Sequence, residues 1–433
     1  MADWVEQEFA TADLGDERLD KRLAKVVAAM ASQPDKSINA ACRGWNEAKG
    51  TYRLLEQDIG WDCLLEPHWD CTLARAAEQK TVLCLQDTTE LDFNGRLTEG
   101  LGKLNYDARR GMYLHPTLMV TPERLPLGIT DAWMWARDGQ QPKESDRWLE
   151  GYQRVCELKK RLPDTRLVYV GDREADLFTL YEENASTPGI DYLVRGKHNR
   201  KLADGRNLKE AVAAAPVLGE VRFTLSKGRK RKSRSVTQQI RAARVVLKQK
   251  ELPITVVMAE ERAAPAGEKP VCWMLLTNVQ VKTLSDAQEL INWYLCRWEI
   301  ELFFKTLKSG CKAESMQLRS REKLERLLVL KMVVAWRVMY LMRLNRVAPE
   351  ISCEFAFDPE EWRIIYASAL RKKPPQSPPS LRTMIHLVAS YGGFLGRKGD
   401  GEPGLKTLWQ GLERCHDIVN SIQVTKELGL TYG

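Results

Sequence analysis

Two apolar runs rich in β-branched residues each end on an aspartate: TVLCLQD closes at Asp87 and RLVYVGD at Asp172. Around them strand-like and helical patterns alternate. LHPTLMV (114–120) and PLGITDAWMWAR (126–137) look like strands, a helical pattern follows over about 143–160, and helical DLFTLYEEN leads into the strand-like DYLVRGK (191–197). Alternation of this kind predicts an α/β core with some parallel pairing. In such a sheet the carboxyl ends of neighbouring strands open on one crevice, which makes Asp87 and Asp172 candidates to share a site. Adjacent carboxylates repel each other, divalent cations relieve that repulsion, and oxygen-only ligation suits magnesium or manganese rather than zinc. Taken singly, each aspartate could equally cap a turn or a helix.

The rest of the chain divides around this core. At the amino-terminal side Leu19, Leu23, Val26, Val27 and Met30 fall at helical spacing, and Arg18, Lys21, Arg22 and Lys25 share another face, with Asp16 placed to cap the helix. A second helical stretch follows over about 45–57, so residues 1–75 form a small helical domain. Residues 198–280 switch to a run of consecutive strands, an all-β insertion that contains KGRKRKSR (227–234), the densest basic tract. Helix returns from Ser285 to beyond Lys308 and through 323–346, and RKKPPQSPPS is a proline-rich basic linker. The expected division is 1–75, 76–369 with its insertion, and 370–433.

Composition excludes several classes. A content of 44% hydrophobic and 29% charged residues is that of a folded globular chain, and 433 residues allow about three packed units. No run approaches the length of a membrane span, and the opening MADWVEQEF lacks the character of a signal peptide, so a cytoplasmic, nucleoid-associated location is expected, without membrane contact. Ten scattered cysteines with no CxxC pair imply reduced thiols, neither a zinc site nor a disulfide framework. The net charge of +8 favours a polyanionic partner.

A third acidic candidate lies in YLCRWEIELFFKTLK. At 3.6 residues per turn Tyr294, Arg297, Glu301 and Lys308 share one helix face, a carboxylate between cations. Glu301 can hold a metal, Arg297 and Lys308 can clamp phosphate oxygens, and Tyr294 can orient one. The competing reading is a solvated face in which Arg297, Glu301 and Lys305 make i,i+4 ion pairs. Periodicity alone favours that second reading.

The same segment fits the Y(2)R(3)E(6)K signature of bacterial cut-and-paste transposases of the insertion-sequence-four family, and the chain resembles that family over nearly its whole length. QDTTELDF, GDREADLF, VRGKHNRK, WMLLTN, LGDERLDKRLAK, GGFLGRKGDG and LWQGLE carry the resemblance in order. It implies an RNase H-like catalytic core with a β insertion, flanked by amino- and carboxyl-terminal helical domains. It further implies Asp87, Asp172 and Glu301 as the acidic triad, binding two magnesium ions per site with manganese as a substitute. The partners implied are double-stranded DNA, both transposon terminal repeats and target, and a second copy of the chain in a synaptic complex, with no small-molecule substrate. The reaction implied is hydrolysis at the transposon end, hairpin formation and opening, then joining of the 3′ end to target DNA. Trp273 matches the family's base-stacking position, Trp298 a DNA-proximal one, and Arg195, Lys197 and His198 a stretch along the transposon-end backbone. Arg18, Lys21, Arg22 and Lys25 would track phosphates, and Met30 could begin a shorter product without that stripe. A structure-specific RNase H-like nuclease and a non-catalytic DNA-binding inhibitor remain alternatives.

Overall fold

Five helices open the chain: α1 (Asp3–Glu8), α2 (Glu17–Ser32), α3 (Ile38–Ala41), α4 (Trp45–Leu55) and α5 (Trp61–Ala77). The computed structural model describes every residue except 1–2, 43, 106–107, 138–144, 188, 226–232, 266 and 430–433. Most of the basic tract KGRKRKSR therefore lies outside the described residues. The α2 reading holds: Leu23, Val26, Val27 and Met30 are buried, and the Asp16 carboxylate accepts the Arg18 N–H.

The strands that follow are β1 (Thr81–Gln86), β2 (Thr89–Asp92), β3 (Gly102–Lys103), β4 (Arg110–Val120) and β5 (Pro126–Trp135). Next come α6 (Asp146–Leu158), β6 (Arg166–Gly171), α7 (Phe178–Ser186) and β7 (Asp191–Arg195). The core order is β5-β4-β1-β6-β7, antiparallel from β5 to β1 and parallel from β1 to β7. That mixed α/β sheet is the RNase H-like arrangement the sequence implies. Both faces are covered, so β1 and β6 are buried almost throughout rather than half-solvated. Alternation then sorts their side chains. Leu83, Leu85, Val168 and Val170 join one core, while Val82, Cys84, Leu167 and Tyr169 join a second core with Trp148 and Tyr152 of α6.

The insertion extends this sheet instead of forming a separate body. It carries α8 (Leu208–Ala214), β8 (Val217–Leu225), β9 (Arg234–Val246), β10 (Pro253–Glu261) and β11 (Cys272–Thr277), in the order β7-β11-β10-β9-β8. It is not all-β. α8 starts at a reciprocal cap between Asn207 and Glu210 and buries Leu208, Ala211 and Val212 in the second core with Val245 and Val256.

The remaining helices are α9 (Leu284–Cys296), α10 (Trp298–Lys305), α11 (Arg321–Val347), α12 (Pro359–Leu370), α13 (Leu381–Tyr391) and α14 (Leu405–Glu427). The helix expected to run unbroken from 285 past Lys308 is interrupted twice. Arg297 separates α9 from α10, and Thr306–Gly310 forms a π turn closed by Cys311 N–H donating to the Thr306 carbonyl at 2.8 Å. α11 is buried on nearly every side between Leu327 and Asn345 and is the pillar of the fold: Trp336 donates to the Pro126 carbonyl, Lys331 to those of Pro34 and Cys311, and Arg343 pairs with Glu299. No helix among the described residues is long and apolar enough to cross a membrane.

Candidate active site

Asp87 and Asp172 each follow the last residue of neighbouring parallel strands, two positions beyond the paired couple Leu85 and Val170. Side-chain alternation gives Asp87 the parity of Leu85 and Asp172 that of Val170, the face of the sheet that packs on α9 to α11. From α10 Glu301 reaches the same place. The Arg297 guanidinium ties the group together, donating to Asp87 Oδ2 at 2.8 Å and to Glu301 Oε1 at 2.6 Å. Asp87 Oδ1 accepts the Thr88 N–H at 2.8 Å, and Asp172 Oδ1 accepts the Glu174 N–H at 2.7 Å.

One guanidinium serves more carboxylate charge than it neutralises. Burial, together with the charges of Asp172 and Glu301, pushes the Asp87 carboxyl up to about 6 even though Arg297 and the Thr88 N–H act to lower it. A cluster of oxygen ligands with surplus negative charge fits a hard divalent cation in its chemistry. It is not a ready-made cage: among the described residues no three acidic, histidine or cysteine side chains converge as a metal site.

The other expected site residues surround this group to different degrees. Tyr294 is buried, at 6.3 Å between ring centroids from half-buried Trp273 on β11, and the Arg297 guanidinium lies 6.0 Å from its ring. Trp298, 54% exposed, presents its ring 5.6 Å from the same guanidinium. The π turn shifts the helical phase before Lys308, whose ammonium sits 3.7 Å from Glu314. Arg195 ends β7 opposite Leu275, and the side chains of Lys197 and His198 are exposed. Their backbone N–H groups both donate to buried Asp176; these bonds and Arg200 outweigh burial and hold that carboxyl below its ordinary range.

The amino-terminal stripe does not act as one surface. Arg18 and Lys21 are exposed, Lys21 paired with Glu17, whereas Arg22 packs over Gly50 of α4. Arg22 and Lys25 line a cleft of about 600 Å³ whose far wall carries Asp358, Glu360 and Asp417 from the carboxyl-terminal region. Sequence reasoning missed Asp176 and a buried polar group behind Asp87, made of Gln86, Thr88, His115 and Thr117. Burial, with the Arg147 charge adding to it, lowers His115 to about 3 and keeps its ring neutral. A histidine inside the apolar LHPTLMV was the available signal.

An RNase H-like sheet with acidic residues at the ends of its central parallel strands, completed by a glutamate from a later helix, defines the DDE class of DNA-cutting and DNA-joining enzymes. The family matches agree. The chain matches the transposase DNA-binding family over residues 1–59, the transposase DDE domain over 149–337 and the transposase Tn5 dimerisation domain over 333–430. A cryo-EM structure of piggyBac transposase synaptic complex with hairpin DNA is similar over 80% of this chain and 72% of that one, with 11% identity and a TM-score of 0.39. The chain is a DNA transposase of the DDE class, with its catalytic domain set between a transposase DNA-binding domain and a dimerisation domain of the Tn5 type. Its partners are DNA and a second copy of itself, and its DDE domain implies dependence on a divalent metal.

Proposed function

We propose that Asp87, Asp172 and Glu301 are the catalytic carboxylates with which this transposase cuts its element's ends and joins the freed 3′ ends to target DNA. The observation that carries the reading is the sharing of one guanidinium, Arg297, by Asp87 and Glu301 while the Asp87 carboxyl is pushed up to about 6. Two magnesium ions, replaceable by manganese, would be held by the three carboxylates and supply activation of the attacking oxygen and stabilisation of the leaving one. Each step in excision and joining is attack of water or a 3′-hydroxyl on a phosphodiester, so one set of carboxylates serves hydrolysis, hairpin formation, hairpin opening and strand transfer.

Arg297 and Lys308 supply positive charge to the phosphate, the guanidinium from its place between Asp87 and Glu301 and the ammonium as a point charge. Tyr294 orients Arg297 from below. Exposed Trp298 and half-buried Trp273 offer ring faces to bases unstacked at a strained end. Arg195 at the end of β7, and Lys197 and His198 exposed in the loop after it, contact the end's backbone. Arg18, Lys21 and Lys25 supply exposed phosphate contacts at the amino terminus, with Arg22 in the cleft beside Lys25. The working division is 1–75 for end recognition, 76–369 for chemistry and 370–433 for pairing of copies.

The test is cleavage of a supercoiled plasmid carrying the element's own ends, with magnesium, comparing wild type with Glu301→Gln. Excision through hairpin ends, lost in the variant while end binding persists, supports the reading. Cleavage with no joined product would instead indicate a nuclease, and binding without cutting in both proteins a regulator.

A further inference from the structure

Asp87 sits in a gap in the β1 to β4 ladder. Gln86 pairs with Thr117 and Thr89 with Leu114, so Asp87 and Thr88 lie opposite Pro116 and His115. A proline has no N–H to give a ladder, and pairing is interrupted where it stands. A strand end released in this way would leave Asp87 loosely held unless something replaced the missing pairing.

His115 replaces it. Residues 86 and 88 point to the face opposite Asp87, and the His115 ring lies between their side chains. Its Nδ1 is 2.8 Å from Thr88 Oγ1, and its Nε2 is 3.2 Å from Gln86 Oε1. Gln86 Nε2 donates in turn to Thr117 Oγ1 at 2.7 Å. With the Gln86 amide oriented so that its nitrogen donates to Thr117, its oxygen accepts from His115, which places the ring proton on Nε2 and leaves Nδ1 to accept from the Thr88 hydroxyl. Gln86 is fully buried, and His115 and Thr117 nearly so. The ring meets Trp148 of α6 edge to face at 4.6 Å. Gly151, one turn further along α6, leaves no room for a Cβ, which would collide with the Gln86 amide.

We infer that His115 is a positioning residue for Asp87: by gripping Gln86 and Thr88 from behind the sheet it fixes the Thr88 N–H that holds Asp87 Oδ1, and with it the carboxylate that ligates metal. The inference rests on the reading of Asp87 as catalytic. Outer partners that orient ligands change metal affinity by about 10- to 100-fold when removed.

The experiment uses the full-length protein with Thr88→Val, Thr88→Ser, His115→Leu and Gly151→Ala, and Asp87→Asn as control. Nitrogen-15 histidine spectra report the tautomer of His115, and cleavage across a manganese titration reports the half-saturating concentration separately from the maximal rate. The expected wild-type ring is the neutral Nε2–H form. Thr88→Val should shift the Nδ1 resonance and raise half-saturating manganese about tenfold, with metal-free end binding unchanged; Thr88→Ser should restore both. His115→Leu and Gly151→Ala should follow Thr88→Val in the titration. If Asp87→Asn is inactive while Thr88→Val, His115→Leu and Gly151→Ala keep the wild-type manganese dependence, His115 is core packing and the inference falls alone. If Asp87→Asn cuts at the wild-type rate, the catalytic reading of Asp87 falls and takes the inference with it.

Discussion

Two carboxylate and guanidinium clusters in this protein have opposite electrostatics. Beside α11, Glu8 of α1 receives both arms of Arg75 at 2.8 Å and the His68 ring, whose Nε2 accepts the Ile129 N–H, with Trp336 packed against that ring. Burial works against charge on Glu8, yet Arg75 and the His68 contact more than offset it and hold the carboxyl well below its ordinary value, while burial keeps His68 itself lowered. In the crevice Arg297 divides its arms between Asp87 and Glu301, with Asp172 beside them, and Asp87 rises to about 6. Both carboxylates are deeply placed, so depth is not the difference. A structural ion cluster is balanced, whereas this site is short of positive charge, and the shortfall is what a divalent cation corrects.

That contrast can be broken most severely by removing ligands. Asp172→Asn or Glu301→Gln should reduce cleavage by about three orders of magnitude or more, on the scale of losing a principal electrostatic stabiliser, with end binding retained in gel-shift assays. Glu8→Ala should leave metal dependence unchanged but strand Arg75 and His68, costing about 3–5 kcal/mol in denaturant unfolding. Arg297→Gln separates binding from chemistry. Loss of the internal cation should tighten manganese binding in calorimetry and slow cleavage about tenfold or more, as one phosphate contact is lost.

The two clusters should also part with pH. In the metal-free protein Asp87 takes up a proton as pH falls through about 6, so metal must displace that proton and half-saturating metal is expected to rise below that pH. Its raised value also means that whatever stability its protonated form contributes is present below its ordinary 3.8 and lost as pH rises through about 6. Glu8 has the opposite sign: the stability it contributes is present above its ordinary 4.5 and lost only as pH falls toward about 2. Thermal unfolding of wild type and Glu8→Gln across this range checks it. The smallest effect is expected at an exposed pair, Lys21 with Glu17, where Lys21→Ala should change stability by about 0.5 kcal/mol or less.

Much of the core was legible because burial on both faces writes itself as apolar runs, and because Asp87 and Asp172 close two of them. Glu301 was not separable from a solvated ion-pair face by spacing alone, and its Arg297 contact is indeed an i,i+4 pair; only the second arm, to Asp87, makes it a site. The π turn that contains Lys308 escaped notice because it spans only Thr306–Gly310, too short a stretch for its phase shift to show in the periodicity. α8 was hidden by its shortness. The opposition of Arg22 and Lys25 to acidic residues more than three hundred positions away is tertiary, as is the register that sets His115 behind Asp87. No local pattern records either.

The central claim is most directly tested by replacing the metal with ferrous iron and mapping where hydroxyl radicals made at the bound ion cut the polypeptide. Cuts confined to the segments around Asp87, Asp172 and Glu301, and lost in Glu301→Gln, are the expected result. Cutting elsewhere, or a pattern indifferent to that substitution, would contradict the assignment of the cation-deficient crevice as the catalytic centre.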